Sequence, residues 1–285
     1  MMRQVKGFWF ITRMDKPIGI YLLLWPTLWA VVLASLGQPQ LDILLIFVAG
    51  VVVMRAAGCV VNDIADRKVD GHVKRTNARP LVSGLLSTKE AIVMFAGLLL
   101  VALILVLQLN QPTFYLSLVA LVLASSYPFM KRYTHLPQVV LGAAFSWSIP
   151  MAFMAINQNI PTWAWYLYIA NLAWTVAYDT LYAMVDREDD LKIGVKSTAI
   201  LFGRYDLTII GLLYTVMLGM LTLLGYELIL GKWYVAGLTV MAAVIGYIMW
   251  QVRERDLTRC FAMFKANHWI GLIYLLGLWA ELLSV

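Results

Sequence analysis

Residues 17–37 read PIGIYLLLWPTLWAVVLASLG. The run carries no charge, and at a rise of about 1.5 Å per helical residue it is long enough to cross a hydrocarbon core roughly 30 Å thick. Its length and its Trp and Pro content separate it from a cleavable leader. Further uncharged runs lie at 41–54, 91–109, 114–130, 136–156, 163–178, 207–226, 233–252 and 269–280. The second and the last draw on residues 55–61 and 281–285 to complete a crossing. The pattern predicts an all-α polytopic membrane protein of nine transmembrane helices, forming a single domain over residues 1–285. Composition agrees. Of 285 residues, 62% are apolar and 13% are charged, about half the charged share of a soluble domain. That balance excludes a disordered chain, a disulfide scaffold and an ordinary cytosolic enzyme. The expected surroundings are a lipid bilayer, with no nucleic-acid partner.

Nine crossings sort the 22 basic residues by face. All but Lys232 and Arg55 fall on one side, so the positive-inside rule predicts a cytoplasmic N-terminus and a periplasmic C-terminus. With no Arg- and Ser-rich transit segment ahead of the first run, a bacterial inner membrane is expected. Cys59 and Cys260 both fall near the basic face, where thiols stay reduced, and they form no metal or redox motif. Arg55, inside the second span, is costly unless it is paired or faces a wet cavity.

Polarity is concentrated in two segments on that face, at about 62–89 and 179–206. Asn62, Asp66 and Asp70 are spaced i, i+4, i+8 and stack on one helical face if the second span continues beyond the membrane. Asp186 and Asp190 repeat the spacing, with Asp179 two turns earlier. Like charges four residues apart repel, and two such ladders call for a cation. Oxygen ligands without a His or Cys cluster suit Mg²⁺, which commonly shares its shell with phosphate oxygens. The Lys and Arg woven through both segments suit the phosphate. One isolated pair would read as a solvated loop. Two matching patches, one after the second span and one after the sixth, instead suggest duplicated four-helix halves plus a final helix, with a diphosphate held between facing carboxylates. His72, His135 and His268 are scattered singly. Trp25, Trp29, Trp147, Trp163, Trp165 and Trp269 read as interfacial or lipid-facing, and Pro26 and Pro150 as helix kinks.

The strings VVNDIADRKVDGHVKRT (60–76) and YDTLYAMVDREDD (178–190), with DKPIGIYLLLWPTLWA (15–30) and YPFMKRYTHLPQVVLGAAFSWSIPMAF (127–153), resemble the UbiA-type intramembrane aromatic prenyltransferases. The longer strings resemble the branch that accepts 4-hydroxybenzoate. The resemblance covers about residues 13–203 and implies a helix bundle around a central cavity, open laterally to lipid and capped by the two Asp loops. Its first motif, NxxxDxxxD, falls on Asn62, Asp66 and Asp70, and its second, DxxxD, on Asp186 and Asp190. These positions would bind Mg²⁺ and a polyprenyl diphosphate. Its YxxxK element falls on Tyr127 and Lys131, which would help to hold the diphosphate. The implied reaction is ionisation of the allylic diphosphate in a dry cavity, followed by attack of the phenol's ortho carbon, with a place in ubiquinone synthesis. Asp179 or Asp186 could polarise the phenol. Arg55, Arg132 and Arg13 are candidates for the benzoate carboxylate, and spacing does not rank them. Competing readings keep the scaffold with homogentisate, a naphthoate or haem as acceptor, or make the chain a cation-coupled transporter. A CDP-alcohol phosphotransferase is a further alternative, since Asp66, Asp70, Gly71, Ala78 and Arg79 loosely echo its motif at the wrong spacing.

Overall fold

A computed structural model describes residues 2–67, 71 and 76–284. Every regular element among them is helical: α1 (Met2–Ile11), α2 (Ile18–Ala34), α3 (Leu41–Asp66), α4 (Thr88–Val106), α5 (Gln111–Tyr133), α6 (Pro137–Ser146), α7 (Ser148–Asn157), α8 (Ala164–Ile193), α9 (Thr198–Phe202), α10 (Asp206–Glu227), α11 (Lys232–Val252) and α12 (Leu257–Leu283). Seven stretches are long and apolar enough to cross a membrane: α3, α4, α5, α6 with α7, α9 with α10, α11 and α12. The 17-residue α2 is apolar but shorter. The 30-residue α8 is not among the seven. Its uncharged first half is rich in Trp and Tyr and includes Asn171, which lower its hydropathy, and its second half carries the acids. Seven of the nine expected crossings therefore stand on length and apolarity alone.

The two helices that bear the acidic motifs outrun their apolar runs: α3 continues to Asp66 and α8 to Ile193. The break in the fifth apolar run falls at Trp147, so that Pro150 occupies the first turn of α7, where a missing N–H leaves no hydrogen bond unmade.

Polar contacts mark the two ends of the bundle. At one end Arg13 meets Asp63, Lys131 meets Asp66 and Arg187 meets Asp206; this is called the acidic face below. At the other, Asn110 Nδ2 donates to Met154 O (2.8 Å) and Trp279 Nε1 to Gly37 O (2.9 Å). Also at this end, the buried carboxylate of Glu281 near the end of α12 accepts from the backbone N–H groups of Gly231 (2.7 Å), Trp233 (2.9 Å) and Tyr234 (3.4 Å). It thereby satisfies donors left open at the start of α11. Glu281→Ala should lower thermal stability in detergent by about 2 kcal/mol, the scale of hydrogen bonds to a charged group. Glu281→Gln should recover part of the loss, and both variants should keep activity at permissive temperature.

The centre is aromatic. Trp29, expected at an interface, has no exposed surface: it donates Nε1 to Gly271 O (2.8 Å) and stacks on Trp174 at 5.4 Å. Only a glycine fits at 271, since a Cβ there would lie 2.6 Å from Trp25 and 2.7 Å from Trp174. Trp165 and Trp269 are exposed, as a lipid-facing position requires. This core fixes α2, α8 and α12, and the space that remains is enclosed by α2 through α7 on one side and lies beside α8 at the acidic face.

Candidate active site

A polar chamber of about 150 Å³ opens at the acidic face. The turn-after-turn spacing of α8 sends Asp179, Tyr182, Asp186 and Asp190 into its wall together, because positions i, i+3, i+7 and i+11 share a helical face. α3 contributes Asn62 and Asp66, and α5 contributes Tyr127 and Lys131. Thr76 and Arg79 line it from the segment after α3, and Gln138, Lys196 and Ser197 complete it. The two acidic segments, more than a hundred residues apart in the chain, thus face each other across one space.

Asp66 is almost fully buried and forms an ion pair with Lys131, with Arg132 Nη2 3.8 Å from its Oδ1. That Oδ1 is buried without a hydrogen-bond partner. Arg132 gives its hydrogen bond to Ala65 O at 2.6 Å. Asp63 does not line the chamber; it is buried beside Asn62 and takes Arg13 at 2.7 Å and Arg79 at 3.2 Å. Asp70, the third position of the first ladder, lies outside the described residues, as do His72, Lys74 and Arg75. Among the described residues no group of three or more His, Cys, Asp or Glu side chains is gathered closely enough to hold a metal ion.

Beneath the chamber lies an apolar cavity of about 390 Å³ between α2, α3, α4, α5, α6 and α7. Tyr127 lines both spaces and stands between them. Among the residues around the cavity, Arg55 alone carries a formal charge. Its guanidinium donates to Cys59 Sγ at 2.9 Å, and its buried Nε has no partner. No carboxylate among the described residues pairs with it. Gly19 makes room for the group, since a Cβ there would come within 2.2 Å of Arg55 Nε. The guanidinium thus stands among a thiol, tyrosines and apolar walls, with no carboxylate partner among the described residues. The three arginines that spacing left unranked therefore differ. Arg13 lies outside both linings and is committed to Asp63, Arg132 sits over Ala65 and Asp66, and Arg55 faces the cavity.

Sequence reading did not assign Tyr182, Thr76, Gln138 or Ser197 to the site, whereas Arg79 and Lys196 were among the basic residues read as suiting the phosphate. Tyr182 had a signal, being one helical turn before Asp186. Gln138 and Ser197 had none, because the turns that carry them are placed by tertiary contacts: Lys196 N donates to Lys131 O (2.9 Å) and Thr198 N to Gln138 Oε1 (3.0 Å).

The second acidic segment has its own brace. Arg187, between Asp186 and Asp190, donates Nη2 to Asp206 Oδ2 at 2.5 Å, and Arg255 donates Nε to Asp206 Oδ1 at 2.9 Å. Asp206 has no exposed surface and also accepts from Leu207 N at 2.7 Å. This carboxylate locks the end of α8 to α10 and to the loop before α12, fixing the rotation at which Asp186 and Asp190 meet the chamber. Arg187→Met and Asp206→Asn should show a coupling of about 1–3 kcal/mol in a double-mutant cycle on thermal stability. Each should also raise the metal concentration needed for half-maximal turnover, which loss of packing alone would not do.

A family model described as the UbiA prenyltransferase family matches residues 23–271. The chain belongs to that family. Among its UbiA-family relatives is the 4-hydroxybenzoate octaprenyltransferase of Pseudomonas syringae pv. tomato, 60% identical over 271 residues covering 95% of this chain and 92% of the relative. The protein of the same name from Chromohalobacter salexigens is 58% identical, covering 96% and 92%. Of solved structures, the apo UbiA homologue from Aeropyrum pernix K1 superposes with a TM-score of 0.80 at 25% identity, covering 90% of this chain and 96% of that one. The Archaeoglobus fulgidus UbiA homologue bound to GPP and Mg²⁺ has a TM-score of 0.69 at 17% identity, covering 94% and 99%. This UbiA-family chain is a multi-pass membrane protein of the same architecture.

Proposed function

We propose that this protein transfers a polyprenyl group from polyprenyl diphosphate to C3 of 4-hydroxybenzoate, with Mg²⁺, in the bacterial inner membrane and with the acidic face toward the cytoplasm. The observation that carries the reading is the pair of spaces that share Tyr127, a cationic and carboxylate-lined chamber above a largely apolar cavity. That is the shape of an amphiphile with a diphosphate head and a hydrocarbon tail. The names of the relatives supply the acceptor and point to an octaprenyl donor.

The donor set fits Mg²⁺: Asn62, Asp66, Asp186 and Asp190 offer only oxygen ligands on this chamber, and Asp66 Oδ1 is buried and unsatisfied. Asp70 would join them from outside the described residues. Bound there with the diphosphate, the metal would neutralise the negative charge that grows on the leaving oxygens. Lys131, Arg79 and Lys196 add positive charge around the same head group, and Tyr127 sets the depth at which head gives way to tail. The apolar walls keep water from the allylic cation formed when the C–O bond to diphosphate breaks. Arg55 binds the acceptor's carboxylate and so turns the phenol ring toward Tyr127. The ring's ortho carbon then bonds to the prenyl C1 and loses its proton, with Asp179 or Asp186 placed to polarise the hydroxyl.

Purified protein in liposomes, given octaprenyl diphosphate and Mg²⁺ with 4-hydroxybenzoate, homogentisate or a naphthoate in competition, tests the reading. Prenylated 4-hydroxybenzoate as the dominant product is expected. Preference for another acceptor would overturn the assignment while leaving the prenyl transfer.

A further inference from the structure

The short helix α1 was not anticipated, and it has two opposed faces. Gly7 and Ile11 are buried: Gly7 packs on Leu86 so closely that a Cβ would lie 2.5 Å from it, and Ile11 joins Val60, Leu86 and Ala91 in a small core separate from the main one. On the other side Met2, Val5 and Trp9, spaced i, i+3, i+7, are 89%, 65% and 52% exposed. Arg3 and Gln4 tie the helix to Glu90 Oε1 in the first turn of α4, at 3.0 and 3.4 Å. Immediately beyond Glu90, α4 presents Ile92 and Val93, exposed in the chain and part of a membrane-spanning stretch. The outward stripe of α1 and the first exposed apolar residues of the spanning helix α4 thus lie at the same end of the bundle.

We propose that α1 is a membrane-surface anchor. Its Met2–Val5–Trp9 stripe lies among the headgroups and first acyl carbons of the leaflet at the acidic face, and Lys6 meets anionic phospholipid there. Ten residues cannot span a bilayer, whereas an apolar stripe with Trp and flanking basic residues is the form that lies in its interface. The seat has a consequence for the site. Through Leu86 the helix holds the segment that follows Thr76, and through Arg13, two residues past its end, it reaches Asp63, whose carboxylate also takes the chamber residue Arg79. The membrane surface therefore sets the position of Arg79.

Nitroxide labels at Val5→Cys and Trp9→Cys in the full chain, reconstituted in vesicles containing phosphatidylglycerol, test the seat. Greater collision with oxygen than with a water-soluble nickel chelate is expected at both sites. Nickel-dominated collision at both would overturn it, whether the stripe stands in water or serves a soluble protein partner. The link to turnover rests on the prenyl-transfer reading, but the depth of α1 does not. The expected result is severalfold faster turnover in phosphatidylglycerol than in phosphatidylcholine vesicles, an advantage largely lost in Lys6→Gln. Equal turnover in both lipids, with the labels immersed, would overturn the link alone.

Discussion

Asp66→Ala and Asp190→Ala should each abolish prenyl transfer in isolated membranes while leaving the bundle assembled. A loss of at least about 10²–10³-fold is the scale for removing one preorganised group that stabilises developing charge, and each carboxylate also belongs to the set proposed for the metal. The two line one chamber from different helices, α3 and α8, so neither is expected to substitute for the other. Asp66→Ala additionally strands the ammonium of Lys131 in a partly buried position, and some destabilisation accompanies it. Asp66→Asn keeps the volume and separates the two effects: it should stay folded and stay inactive. Asp63→Asn, one residue after Asn62 but facing Arg13 and Arg79 rather than the chamber, is the contrasting control. It should cost stability and, because Arg79 loses a partner, lower turnover modestly, far less than Asp66→Asn does. Thermal melts and product formation on the same preparations check all four variants.

Arg55→Met separates acceptor from donor. The guanidinium lies on the apolar cavity with Cys59 as its hydrogen-bond partner among the described residues, so its loss should remove a proposed charge-assisted contact worth roughly 1.5–3 kcal/mol. That corresponds to a rise in KM for 4-hydroxybenzoate of about ten- to a hundredfold. KM for the prenyl diphosphate should change little. A neutral acceptor such as the methyl ester of 4-hydroxybenzoate should lose far less, narrowing or reversing the preference for the acid. An equal loss for acid and ester would mean that Arg55 supports the wall rather than reading the carboxylate. The same pair of acceptors applied to Arg132→Met should show no such difference, because that guanidinium is already bonded over Ala65.

Much of this was legible in the sequence because membranes impose a simple constraint: uncharged runs of helix length must cross, and sparse charge must collect at the ends. The i, i+4 acids of α8 needed only a continuing helix to align, and α8 does continue to Ile193. What sequence could not give is which surface a side chain meets. Trp29 has the composition of a lipid-facing residue and is instead the centre of the core. Arg13 and Arg55 were both candidates for the benzoate carboxylate, yet one faces a buried carboxylate and the other the apolar cavity beside Cys59. α1 escaped notice because a ten-residue amphipathic helix carries no spanning signal, and Gln138 and Ser197 reach the chamber only through contacts across the chain.

The central claim is that head and tail of one donor occupy the two spaces that share Tyr127. A polyprenyl diphosphate carrying a photoreactive diazirine a few isoprene units from the head, bound to the protein with Mg²⁺ and irradiated, tests it directly. The account predicts crosslinks on α4 and α5, at positions such as Leu99, Ala102 or Leu121 around the apolar cavity, and their loss when unlabelled donor competes. Competed crosslinks confined to α10, α11 and α12 would contradict it.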